Sequence, residues 1–397
     1  VSALPDLDWT AANQQLLGAE FVHLRALLGD GDPGATRGQV EALRRGVPGA
    51  AIETLVSLFA LSPFERSILL LLAGVEMDAR LARLCGEARG EPQQPWATFG
   101  LALAALPEAH WSAVAPVEAL RRWRLVELDD TAGITGGRLR MDERVLHFIG
   151  GLNFPDQRLA PLIEPLPPAG LMAEGHRAAA GAAAARLRRQ PGRLPLLLLS
   201  GDDPHGQRDV AATLAHDLGV ALYRLRADDI PASPHEQAAL AALWQREAAL
   251  LGAGLLISGA DAVDGERLAR FVPQIDGLLV VSGRSAPHID AEQLYFRIDR
   301  PEAPDQRRLW QAALGERAAP LSDTLDGLAS QYRLGARQIE RSAAQVEGTD
   351  AALDSAVLHR LSRGNGARLG ELAQPIEANA GWDDLVLPDG QLRTLRQ

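Results

Sequence analysis

Four short, largely apolar runs constrain this chain most: residues 194–199, 221–225, 254–257 and 277–281. Each ends in a Gly or Asp cluster, and most lead into a segment with helical spacing. Strands apolar on both faces have to be covered on both, so such runs alternating with helices predict a buried parallel sheet flanked by helices. Residues 294–298 add a shorter, alternating fifth run. From 304 to about 363 the pattern is helical, and after Gly364-Asn365-Gly366 it becomes polar.

The region ahead of the sheet reads differently. Leu16, Leu17, Phe21, Leu24 and Leu28 mark one amphipathic helix, ended by the Gly/Asp/Pro stretch 29–33. Ile52, Leu55, Val56 and Phe59 mark a second. Ser62, Pro63 and Glu65 then form a capping-box start for a helix holding Ile68, Leu69, Leu71 and Leu72. A helix over 116–123 leads into a strand-like run at 125–128, a turn at 129–133 and a returning strand at 138–141. Helices followed by a β-hairpin outline a winged helix. The proline-rich stretch 162–168 cannot continue a helix and marks a connector.

With 397 residues the chain exceeds one ordinary hydrophobic core, so two or three domains are expected. The longest apolar run, 68–73, is far too short to span a bilayer, and no signal pattern opens the sequence. A cytoplasmic protein without membrane partners is the expectation, and the Val1 start suggests a segment trimmed from a longer chain. The lone Cys85 excludes an internal disulfide and reads as a small core residue. A formal charge of −11 argues against a nucleic-acid footprint. Arg121, Arg122 and Arg124 then read as a solvated helix face. All 40 basic residues are arginine, so no lysine-dependent chemistry is available.

That absence matters at 201–208, where the first parallel run meets a helix. Gly201 and Gly206 have the spacing of a phosphate-binding loop, whose backbone N–H groups cradle phosphates at a helix N-terminus. Gln207 and Arg208 stand where the motif requires Lys and then Ser or Thr. Glutamine carries no charge for the phosphates, and arginine cannot replace the hydroxyl that ligates Mg²⁺. Asp202 and Asp203 add negative charge where an anion would approach; two like charges about 4 Å apart cost about 4 kcal/mol at an effective dielectric of 20. No HExxH or G-x-S-x-G pattern offers other chemistry, and His205 reads as a surface residue.

In its order of elements from about 168 to 347 the chain resembles the AAA+ ATPase family. The resemblance implies acidic Walker B residues after the third strand, where Ser258 and Gly259 stand instead, with Asp261 at the downstream acid. It places Ser282, followed by Gly283-Arg284, where a polar sensor is expected, Arg307 and Arg308 at the crossing into a helical lid, and Arg337 at the second sensor arginine. Residues 381–388 resemble the linker to a second such module. The whole then looks like a bacterial tandem AAA+ ATPase with an N-terminal winged helix, a class of which some members accompany contractile injection systems.

The expected architecture is multidomain α/β. A helical, winged-helix-like domain spans 1–158, a Pro-rich linker 159–171, an α/β subdomain with a degenerate nucleotide site 172–302, a lid 303–365 and a further linker 366–397. The expected function is that of a catalytically inactive pseudo-ATPase module in a larger ATP-hydrolysing protein. Its vestigial site comprises Gly201, Gly206, Gln207, Arg208, Ser258, Asp261, Ser282 and Arg337, with no metal and no tightly bound cofactor. ATP or ADP would bind only weakly. Partners would be other AAA+ modules or subunits, in a ring, and a protein client of the N-terminal domain. A weak nucleotide sensor and a winged-helix DNA-binding regulator are the alternatives.

Overall fold

The computed structural model describes residues 7–190, 192–285, 287–347 and, beyond these, positions 357–359, 361, 362, 386, 388 and 391. They fall into two units, one drawn from 1–170 and 174–299, the other from 171–173 and 300–397. The expectation of a linker over 366–397 lies outside the described residues but for three positions.

The first unit opens with helices α1 (Leu7–Leu27), α2 (Pro33–Gly46), α3 (Ala51–Phe59), α4 (Pro63–Met77), α5 (Ala79–Ala88) and α6 (Phe99–Ala105). The α4 start is the capping box read from sequence: the Glu65 N–H donates to Ser62 Oγ (3.2 Å), and the Ser62 N–H to Glu65 Oε2 (2.8 Å). From Ile68 to Ala73 every residue of α4 is buried, because α4 runs through the centre of the N-terminal core. Cys85 lies in that core.

The helix expected over 116–123 shortens to α7 (Ala119–Arg122). Strands β1 (Val126–Leu128) and β2 (Leu139–Met141) pair antiparallel, with Glu127 opposite Arg140, and Ala97 bridges to Leu139. The link between them is longer than the turn expected at 129–133, because it holds a 3-10 turn and the short α8 (Gly133–Gly136). Helix α9 (Glu143–Ile149) follows, capped by Asp142.

The sheet contains β3 (Ile163–Pro165), β4 (Leu196–Ser200), β5 (Ala221–Arg226), β6 (Ala253–Ser258), β7 (Leu279–Gly283) and β8 (Gln293–Arg297), in the order β3-β5-β6-β7-β4-β8. All pairs are parallel except β3 with β5. Part of the proline-rich connector is therefore an edge strand, where the missing N–H of Pro165 is tolerated. Its helices are α10 (Glu174–Arg189), α11 (Pro204–Asp217), α12 (Pro234–Leu251) and α13 (Gly265–Phe271). The connection leaving β4 runs to β5 on one side, whereas that leaving its neighbour β7 passes over β4 to β8 on the other, so the two diverge between β4 and β7. Crevices for ligands open beyond the carboxyl ends of strands at such a divergence.

Helix α12 serves two cores. Leu240, Ala241, Leu243 and Trp244 pack under the sheet, while Leu250 belongs to the N-terminal core. Between those ends lies an ionic cluster. Arg246, fully buried, contacts Asp142 Oδ1 (3.1 Å), Asp156 and the Arg124 carbonyl (2.7 Å). Arg144 donates to Glu247 Oε2 (3.0 Å) and Asn153 Oδ1 (2.6 Å), and Arg158 bridges Asp142 and Asp156 at 2.6 Å each. Three arginines thus face three carboxylates, which is how charge survives out of water. Burial pushes the Glu247 carboxyl up despite Arg144, whereas hydrogen bonds from Arg158 outweigh burial and hold Asp156 below the usual carboxylate value.

The second unit contains α14 (Ala303–Leu314), α15 (Ser322–Gln331) and α16 (Ala336–Glu347). Leu309, Trp310, Leu325, Leu328, Ile339 and Leu358 form its core. Buried Gln306 ties the entry to the α15–α16 turn, donating to the Pro301 carbonyl (2.9 Å) and accepting from the Leu334 N–H (3.2 Å). Among the described residues no helix is long and apolar enough to cross a membrane.

Candidate functional site

The crevice at the carboxyl ends of β4 and β7 is where the sequence placed a phosphate loop, and Gly201, Gly206 and Gln207 meet there. The loop's form differs from an open cradle. Helix α11 already begins at Pro204, with Asp203 as its N-cap, so Gly206 sits inside the first turn. Asp203 is almost fully buried, and its Oδ1 accepts the Gly206 N–H at 2.9 Å. The turn lies flat against the end of β8. Gly201 has φ +135°, and a Cβ there would stand 2.2 Å from the Ile298 carbonyl oxygen, so only glycine fits.

The backbone donors of Gly201, Asp202, Asp203, Gly206 and Gln207 are already used. The Gly201 N–H donates to the Arg284 carbonyl (3.3 Å), Asp202 N–H to Asp299 Oδ1 (3.1 Å), Asp203 N–H to the Ile298 carbonyl (3.4 Å), and Gln207 N–H to the Asp203 carbonyl (2.9 Å). Asp299 is itself held by Arg297 Nε at 2.5 Å, and its carbonyl pairs with His176 Nε2 at 2.8 Å. Gln207 points inward. It is buried, and its Nε2 donates to the carbonyls of Gly201 (3.1 Å) and Gly283 (3.0 Å), fastening the turn to the end of β7.

The remaining expected residues are spread over neighbouring elements. Arg208 is half-buried one position further along α11. Ser258 ends β6 in register with buried Ser282 of β7. Asp261 lies in the 3-10 turn after β6, where its Oδ1 accepts the Arg284 N–H at 2.7 Å. A Cβ on Gly283 would come within 2.6 Å of that oxygen, so the carboxylate is committed to closing the β6–β7 ends. Arg337 is half-buried in the first turn of α16, in the second unit. His205, read from sequence as a surface residue, is half-buried because α11 starts early and tucks its first turn under.

Sequence reasoning missed Asp299 and the capping role of Asp203. Asp203 was legible, since Asp before Pro is the start signal already read at Ser62-Pro63. Asp299 has no local signal: it meets the loop only because β8 pairs with β4. Among the described residues no group of three or more His, Cys, Asp or Glu side chains is placed to hold a metal ion.

Residues 302–368 match the family model for the contractile injection system ATPase helical domain, and residues 35–163 that for a variant winged helix domain. No curated protein matches the sequence. Among solved structures the chain is similar to one of katanin self-assembly, at 14% identity and TM-score 0.35, over 52% of this chain and 84% of that one. It is similar to the Thermotoga maritima RuvB Holliday junction branch migration motor at 15% identity and TM-score 0.36, over 49% and 70%. The FIGL-1 AAA domain gives 14% identity and TM-score 0.37, over 62% and 95%. The chain therefore carries a region matching a variant winged helix domain, a parallel-dominated mixed sheet, and a helical segment matching that of contractile injection system ATPases.

Proposed function

We propose that this chain is a pseudo-ATPase module: a scaffold that supplies subunit and partner contacts to a larger ATPase of a contractile injection system, without turning over ATP itself. The observation that carries the reading is the closed turn at 201–207, in which five amide donors go to the chain's own acceptors and Gln207 faces inward. A triphosphate would have to displace these bonds with no lysine to compensate and with Asp202 and Asp203 opposing it. Ser258 and Gly259 offer no carboxylate for Mg²⁺ or for the attacking water. In this reading the N-terminal region binds the client, and its attachment to the sheet through α12 and the buried ionic cluster supports a scaffolding role.

Phosphate release from ATP by the purified chain tests the reading. The expected rate equals the buffer blank. A rate above it that disappears on Arg208→Ala or Arg337→Ala overturns the proposal.

A further inference from the structure

The missing lysine explains weak phosphate affinity but not why the turn is shut. We infer that two carboxylates, Asp203 and Asp299, act as built-in anions that occupy the phosphate-binding donors of this turn and hold it closed, an autoinhibitory contact within the site itself. The inference rests on the pseudo-ATPase reading and adds its cause.

At a helix N-terminus the first backbone N–H groups have no partner within the helix and point at whatever anion is nearby. Here that anion is supplied by the chain. Asp203 Oδ1 takes the Gly206 N–H, and Asp299 Oδ1 takes the Asp202 N–H. The second oxygen of Asp203 is buried without a hydrogen-bond partner. It lies 2.6 Å from where a Cβ on Gly206 would stand, a point that His176 Cε1 also crowds at 2.5 Å. The interior side of the turn is therefore filled by a carboxylate and an imidazole. Arg297 anchors Asp299 from the strand, so the second anion is positioned by β8 and not by the loop. Each anion neutralises part of the partial positive charge at the α11 start, which is what a phosphate would otherwise meet. The carboxylates then exclude inorganic phosphate chains as competitors already in place, and restoring a lysine alone leaves them there.

Calorimetric titration with inorganic tripolyphosphate, using two variants of the full chain, tests this. One carries Gln207→Lys and Arg208→Thr; the other adds Asp203→Gly and Asp299→Ser, glycine being a tolerated cap. The four-substitution chain should bind tripolyphosphate at least tenfold more tightly than the two-substitution chain. Equal affinities, or no binding by either, overturn the inference. Should the four-substitution chain fail to fold, hydrogen exchange at the Asp202 amide in Asp299→Ala decides. It should be at least tenfold faster than in the unaltered chain, and an unchanged rate overturns the inference. Turnover of ATP by the unaltered chain would count against the pseudo-ATPase reading, whereas the lock is tested only by the difference between variants.

Discussion

Replacing Arg246 by methionine should detach the winged-helix domain energetically from the sheet. The side chain is fully buried and stands between Asp142 and Asp156, so its loss turns a balanced cluster of three cations and three anions into one with an unpaired buried negative charge. One unit charge removed from about 4 Å forfeits about 4 kcal/mol at an effective dielectric of 20. That agrees with the roughly 3–5 kcal/mol lost when one partner of a buried pair is deleted. Arg158 compensates little, since it already serves both aspartates and is 43% exposed. For a unit of this size, at about 2 °C per kcal/mol, the melting temperature should fall by about 6–10 °C. Arg140→Ala is the control: its pair with Glu127 is about half exposed on both sides, and its loss should cost under about 1 kcal/mol. The assay is thermal unfolding of both variants followed by circular dichroism. A fall for Arg246→Met no larger than that for Arg140→Ala would refute the view that this cluster holds the two domains together.

Three further outcomes follow from single residues. Gly201→Ala should lower stability by about 1–3 kcal/mol, because φ is +135° and the added Cβ meets the Ile298 oxygen; an unaltered urea midpoint contradicts the geometry. Burial pushes the Cys85 thiol up to about 12, so alkylation at pH 8 should be at least about 100-fold slower in the folded chain than in denaturant, and equal rates would place Cys85 outside the core. Asp156 is held below its ordinary value of 3.8, so the unfolded chain takes up its proton first as pH falls. The stability it contributes is present above 3.8 and is lost as pH drops through the lower folded value. The melting-temperature gap between the unaltered chain and Asp156→Asn should therefore narrow below about pH 4, and a constant gap from pH 3 to 6 speaks against the assignment.

The centre of the sheet was legible because β4, β6 and β7 are buried on both faces and so read as apolar runs that no solvated segment imitates. The hairpin and the α4 capping box were equally local, resting on alternation and on the Ser62-Pro63-Glu65 pattern. Strand β3 was hidden: three residues long and ending in Pro165, it has no periodic signature and exists because the exposed edge of β5 accepts it. The ionic cluster was hidden for a different reason. Arg144 and Glu247 are 103 residues apart and Arg246 and Asp156 are 90 apart, and in isolation each reads as an ordinary solvated charge. Burial of charge is a tertiary property with no sequence period. At the candidate site, glycine spacing located the turn, but the same eight residues also encode a proline-started, Asp-capped helix, and that local preference is the one the fold realises.

Calorimetric titration of the unaltered chain with ATP and with ADP, each with and without Mg²⁺, asks whether the closed turn accepts a nucleotide at all. With five of its amide donors occupied and no lysine present, the 201–207 turn should give no saturable binding heat up to millimolar nucleotide in any of the four titrations. Saturable, Mg²⁺-dependent binding at micromolar nucleotide, abolished by Gln207→Ala or Arg208→Ala, would contradict the account.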